Sequence, residues 1–126
     1  MKINIKATNF ELTEAIKSYL EEKLGTLERI LPVGDESVMV DAEVGKITKH
    51  HQHGDVFKAE VNLHFAHYYL RAEAYEGDLY AAIDEVRDEI VRQVNASIAK
   101  KNTLLRRGRR ILKGMIHGVA FWRRKK

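Results

Sequence analysis

The sequence predicts an α+β fold, a two-layer sandwich in which a four-stranded mixed sheet carries two helices on one face in the order β-α-β-β-β-α. Two observations favour this class. Short stretches alternate apolar and polar residues, as half-buried strands do, and two long stretches repeat apolar residues every three or four positions, as helices do. Alternating strands have one apolar face, so both helices must cover the same side of the sheet. The 126 residues suit one main domain with a modest core.

The first strand and the first helix are predicted within residues 2–31. Lys2–Ala7 alternates and predicts a short strand with one buried side. Leu12–Leu31 repeats leucine and isoleucine at helical spacing, with Thr13 as the expected N-cap and Pro32 as the terminator. Gly25 in the middle of this helix lowers its stability by about 1 kcal/mol relative to alanine. A close approach of another backbone would explain why glycine stands there.

Three further strands are predicted between the two helices. Ser37–Val44, Val56–Phe65 and Tyr68–Ala74 alternate apolar and polar residues, and Gly45–Asp55 is predicted to be a polar loop. A short turn at Ala66-His67 joins the last two strands as a hairpin. A strand–helix–strand start favours a right-handed crossover, so the first two strands should pair in parallel and the others antiparallel.

The second helix is predicted from Gly77 to about Ile98, with Asp78 positioned to cap its first turn. Its outer face is rich in charged residues, so one stripe must pack on an apolar surface while the other side meets solvent or a partner. The apolar stripe consists of Leu79, Ile83, Val86, Ile90, Val94 and Ile98.

The charge of the chain is unevenly distributed. Residues 1–98 contain 11 basic and 18 acidic residues, a net charge of −7, whereas residues 99–126 contain 11 basic residues and no acid. We therefore divide the chain into an α+β domain, 1–100, and a basic C-terminal segment, 101–126, which we call the arm and expect to be a short helix over Leu104–Met115 or disordered. Such asymmetry points to a polyanionic partner, above all nucleic acid. The alternatives are a segment that lies on a membrane surface and a tail that only aids solubility.

Few residues indicate catalysis. The chain has no cysteine, which excludes disulfides and thiolate chemistry. His50, His51 and His53 could bind zinc or copper, as in a metal-dependent enzyme, but a solvated loop that touches phosphate is the favoured interpretation. The second helix carries carboxylates one turn apart, which we interpret as a solvated face: Asp84, Asp88, Glu85 and Glu89. No phosphate-binding loop or nucleophile elbow is present, so we expect neither an enzyme nor a cofactor.

Five segments of the sequence occur in an order that resembles a known family. They are Met1–Ile5, Phe10–Ile16, Lys23–Glu28, Glu76–Asp84 and Arg92–Val94, with the predicted strands between them. In this order the chain, from Met1 to about Lys101, resembles the ribosome hibernation-promoting factor family, also called ribosome-associated translation inhibitor or ribosomal subunit interface protein.

The resemblance implies a fold like that of double-stranded-RNA-binding domains. It also implies binding to the small ribosomal subunit and its rRNA, in the channel for messenger and transfer RNA, with steric inhibition of translation in stationary phase or stress. The implied partners include neither a small-molecule substrate nor a membrane, and the oligomeric state stays open. No signal peptide is evident at the N-terminus, so we expect a cytoplasmic protein. A general structured-RNA-binding or RNA-chaperone module is the alternative.

The chain departs from the family in two respects. Family members tend to carry basic residues along the second helix, where this chain has Glu89, Arg92 and Ala96; we expect the arm to compensate. Long members also have an extra C-terminal domain that pairs ribosomes, for which 126 residues leave no room. The candidate RNA-binding residues are Lys17, Lys23, Arg87, Arg92, Lys100, Lys101, Arg106, Arg107, Arg109, Arg110 and Lys113, and no residue is assigned to catalysis or to a metal.

Overall fold

The computed structural model describes residues 1–31, 38–48 and 54–125, with side chains up to residue 112 except that of Thr48. Within these residues there are four strands, two α-helices and one 3-10 turn. In chain order these are β1 (Lys2–Thr8), α1 (Glu14–Gly25), the 3-10 turn (Thr26–Arg29), β2 (Met39–Thr48), β3 (Asp55–Phe65), β4 (Tyr68–Glu76) and α2 (Leu79–Lys125).

The four strands form one mixed sheet whose spatial order, β1-β2-β3-β4, is also their order in the chain. β1 pairs in parallel with β2, and the other pairs are antiparallel, which confirms the predicted α+β class and the predicted directions of strand pairing. The predicted loop Gly45–Asp55 is too long at both ends. Thr48 pairs with Asp55, so the strands continue through Gly45–Thr48 on one side and begin at Asp55 on the other. Residues 49–53, with the three histidines of the proposed metal site, lie outside the described residues.

The core lies between the helices and one face of the sheet. Inward positions alternate along each strand as predicted, and α2 contributes the predicted stripe from Leu79 to Val94, whereas its last member, Ile98, is only partly buried. Both helices cover this one face, and the likeness to double-stranded-RNA-binding domains stays a prediction. The fully buried side chains come from α1 and the 3-10 turn, from the sheet and from α2. They include Leu20, Leu24, Leu27, Val40, Val44, Val61, Leu63, Ile83, Val86, Ile90 and Val94.

The first helix is shorter than predicted. Thr13 caps it, since the Ile16 N–H donates to Thr13 Oγ1 at 3.3 Å, but regular α-helix ends at Gly25 and a 3-10 turn follows. Gly25 has ordinary helical dihedral angles, φ −60° and ψ −23°. A Cβ atom there would meet no atom of a described residue within 4 Å. The expected close backbone approach at this glycine is therefore not made by any described segment, and the predicted terminator Pro32 lies outside the described residues.

The second helix is longer than predicted. Its first turn is capped by Asp78, whose Oδ1 accepts a hydrogen bond from the Tyr80 N–H at 3.4 Å. It runs to Lys125, so Leu104–Met115 is part of α2 rather than a third helix. The chain divides into two compact units, Met1–Asn95 and Ala96–Lys126, and the boundary falls within α2. We call these the body and the second unit; the second unit contains the arm.

Candidate nucleic-acid interface

The eleven candidate RNA-binding residues fall into two groups. Lys17 and Lys23 lie on α1, and Arg87 and Arg92 lie on the part of α2 that belongs to the body. The other seven lie in the second unit; the Lys113 side chain is outside the described residues, and the described ones are all exposed: Lys100, Lys101, Arg106, Arg107, Arg109 and Arg110. The two groups differ in how their charges are partnered within the molecule.

Lys23 is part of a polar cluster that links α1 to α2. Its Nζ lies 3.4 Å from Asp84 Oδ1, and the same oxygen accepts a hydrogen bond from the Tyr19 hydroxyl at 2.6 Å. The Tyr19 ring packs edge-on against Tyr80, with centroids 4.8 Å apart. The hydrogen bond to Asp84 is the main reason that the pKa of Tyr19 rises to about 12, and it also lowers the pKa of Asp84. Lys23 therefore supports helix packing and already faces a carboxylate.

The two arginines of the body also have carboxylate neighbours. Arg87 Nε lies 2.8 Å from Asp88 Oδ1, an ion pair without the geometry of a hydrogen bond. Arg92 makes two charge-assisted hydrogen bonds to Glu89, at 3.0 Å and 2.5 Å. These bonds from Arg92, with a further one from Gln93, lower the pKa of Glu89 to about 2. Three of the four candidate cations of the body are thus neutralised locally, and within the described residues Lys17 alone among them has no carboxylate within 4 Å.

The face of α2 beside β4 is acidic. A groove of about 750 Å³ lies between these two elements, and five carboxylates line it against two guanidinium groups. Glu76 and Glu85 are close enough to share a hydrogen bond, which raises the pKa of Glu85. A groove of this charge repels phosphate, so this face does not favour RNA. The charged lining residues are Arg71, Glu73, Glu76, Glu85, Asp88, Glu89 and Arg92.

The second unit has the opposite character. Its six described cations make no ion pair with any described residue, and residues 99–126 contain no acid. At about 100° per residue, the four arginines between 106 and 110 occupy one side of the helix and the apolar residues the other. Those apolar side chains are more than half exposed: Leu104, Leu105, Ile111 and Leu112. The positive charge that remains free for a polyanion is therefore concentrated here, in a basic amphipathic helix.

The comparisons with known proteins concern mainly the body. The family model described as "Sigma 54 modulation protein / S30EA ribosomal protein" matches residues 3–102. The chain belongs to this family. The resemblance seen in the sequence is thereby confirmed over most of the chain. The arginines from Arg106 onward lie beyond the matched segment, so family membership says nothing about them.

The chain is similar to several characterised relatives. It is 35% identical over 106 residues to the ribosome hibernation promotion factor of Bacillus subtilis, covering 84% of this chain and 53% of the relative. It is 32% identical over 103 residues to the protein of the same name from Lactococcus lactis, covering 81% and 52%. The chain thus spans about half the length of these relatives.

Two solved structures share the fold. The N-terminal domain of Thermus thermophilus Protein Y superposes with a TM-score of 0.63 at 30% identity, covering 75% of this chain and 96% of that domain. A ribosomal subunit interface protein from Coxiella burnetii gives the same TM-score at 19% identity, covering 79% and 99%, and supports the fold alone.

Two features of the described residues bear on other functions. Within the described residues, no group of three or more histidine, aspartate or glutamate side chains is arranged to hold a metal ion. The histidines proposed for a metal site are outside those residues, so that alternative is untested. No described helix has an apolar stretch long enough to cross a bilayer.

Proposed function

We propose that this protein is a ribosome-associated regulator of translation that binds the small ribosomal subunit. The observation that carries the proposal is the family match over residues 3–102, together with relatives named ribosome hibernation promotion factor. The protein acts by occupying the channel for messenger and transfer RNA, so initiation is blocked sterically and no chemical step is needed. We place this activity in the cytoplasm, in stationary phase or stress.

The charge distribution supports a division of labour in this mechanism. The body supplies shape and the contacts of Lys17, while its other candidate cations are largely neutralised by Asp84, Asp88 and Glu89. The second unit supplies sequence-independent affinity, because each cation that displaces counterions from a phosphate adds to binding. The departure from the family on α2 is in this way compensated by the arm.

Co-sedimentation tests the proposal directly. The purified chain should migrate with small subunits and whole ribosomes at moderate salt, and it should reduce synthesis in a cell-free translation extract when present in excess. A chain that stays at the top of the gradient, or an extract that translates at its normal rate, would contradict it.

A second candidate function is general binding of structured RNA. The favouring observation is the concentration of unpaired cations in the second unit, because such contacts carry no sequence information. Competition with bulk RNA separates the two functions. A ribosome-specific factor stays on the small subunit when a large excess of unrelated structured RNA is added, whereas a general RNA-binding module is displaced in proportion to the competitor.

A further inference from the structure

The sheet face opposite the helices carries one row in which aromatic and apolar side chains are exposed. The strand register places Lys2 beside Met39, Met39 beside His64 and His64 beside Tyr69, so the four side chains lie next to one another across all four strands. We call these four residues the open-face row. Met39 is 41% exposed and Tyr69 is 71% exposed, although the alternating sequence predicted that this face would be polar.

Tyr69 differs from the other exposed tyrosine on the same strand. Its ring meets His64 at 6.0 Å between centroids, tilted by 52°, and its hydroxyl makes no hydrogen bond to any described residue. Tyr75, in contrast, donates from its hydroxyl to Glu73 at 3.1 Å, and Lys58 Nζ lies 5.9 Å from its ring centre. Tyr75 therefore belongs to an internal network, whereas one face of Tyr69 has no partner within the described part of the molecule.

The chemistry of the row fits a nucleotide. The rings of Tyr69 and His64 offer π-faces on which a base can stack, and the Met39 thioether extends this surface. Lys2, at the end of the row, supplies an ammonium group for a phosphate. No member of the row is acidic, and Asp41, which follows Met39 on the same face of β2, already accepts a hydrogen bond from the side chain of Asn4 at 3.0 Å.

We propose that the open-face row is a stacking surface for an unpaired nucleotide of RNA. The inference rests on the proposed RNA partner and adds to it a contact that the helices do not provide. An unstacked base offers a π-face to these rings, and folded RNA exposes such bases in loops and bulges. Paired bases in a duplex present no free π-face to it.

The test compares Tyr69→Ala with Tyr69→Phe and with Tyr75→Ala in the full chain. Binding of a fluorescent single-stranded 12-nucleotide RNA is measured by anisotropy, with a 12-base-pair RNA duplex alongside. Tyr69→Ala should weaken single-strand binding by about 5- to 100-fold, the usual effect of removing one stacked ring. Tyr69→Phe keeps the ring and should bind as the unchanged protein does. Tyr75→Ala should lie within about twofold of it, and duplex binding should be the same for all four proteins.

Other outcomes overturn the proposal. Unchanged single-strand binding by Tyr69→Ala, or an equal loss for single strand and duplex, would show that Tyr69 does not stack on a base. Unchanged oligonucleotide binding with weakened co-sedimentation with ribosomes would assign the row to a protein partner instead. If the unchanged chain fails to co-sediment with ribosomes while the oligonucleotide result holds, the proposed function is wrong but the stacking surface remains.

Discussion

Two matched double variants test whether free cations, rather than net charge, carry the affinity for RNA. Arg106→Gln with Arg110→Gln removes two exposed cations that have no ion pair with any described residue. Lys23→Gln with Arg92→Gln removes two cations that face Asp84 and Glu89. Each pair of changes lowers the formal net charge from +4 to +2. Net charge therefore cannot explain any difference between the two variants.

The expected difference follows from counterion release. Each phosphate contact contributes about 0.7–0.9 to the slope of log affinity against log salt concentration. Loss of two contacts should reduce the slope by about 1.4–1.8, which corresponds to a weakening of about 25- to 60-fold at 0.1 M salt relative to a 1 M reference. The Lys23 and Arg92 variant should change the slope by less than about 0.5, because a cation already paired with a carboxylate displaces few counterions.

Filter binding of ribosomal RNA at four or five salt concentrations gives both slopes. Thermal unfolding of both variants serves as the control for folding, because Lys23 is partly buried against α2. Equal slopes for the two variants would refute the assignment of free charge to the second unit. A larger change in slope for the Lys23 and Arg92 variant would indicate that RNA binds to the helix face of the body.

Three further predictions concern individual side chains. Asp84→Asn removes the charged acceptor of the Tyr19 hydroxyl, so the pKa of Tyr19 should fall from about 12 towards 10. NMR titration of the Tyr19 ring resonances measures this pKa, and an unchanged value would contradict the hydrogen bond between Tyr19 and Asp84. Gly25→Ala should stabilise the protein by about 0.4–1 kcal/mol in chemical denaturation, because the backbone is helical and the added methyl meets open space; destabilisation would indicate an unseen contact. Leu63→Ala should lower the free energy of unfolding by about 2–5 kcal/mol, because this side chain is fully buried. Leu112→Ala should lower it by less than about 0.5 kcal/mol, because this side chain is 63% exposed. Similar losses for the two variants would mean that Leu112 is buried in a core of the second unit.

The periodicity of the sequence was sufficient to predict the strands, their inward faces and the buried stripe of α2. It underestimated β2 because the polar end of that strand is held by pairing with β3, a contact that local pattern does not contain. It also divided α2 into two helices, one ending at about Ile98 and another beginning at Leu104, although residues 99–103 contain neither glycine nor proline. Between Leu79 and Lys125 there is no proline, and a glycine lowers helix stability without ending the helix.

The sequence was sufficient to predict the basic residues of the candidate site, but it predicted only some of the carboxylates with which they pair. The ion pair of Arg92 with Glu89 joins residues three positions apart on one helix and could have been anticipated from spacing. Arg87 and Asp88 are adjacent, a spacing at which helix side chains do not face each other, so their ion pair could not. The contact of Lys23 with Asp84 joins residues 61 positions apart and depends on how two helices pack. The open-face row likewise needs the register of three strand pairs before its members can be seen to be neighbours.

The order of charge along the chain has a consequence for biosynthesis. Residues 1–98, which together have a net charge of −7, are translated before residues 99–126, and the sheet can assemble strand by strand because each strand pairs with the one before it in the chain. The six described cations of the second unit, which make no ion pair with any described residue, are translated afterwards. Under the proposed function, a newly made molecule therefore gains most of its affinity for RNA only after the segments that form the core of the body have been made.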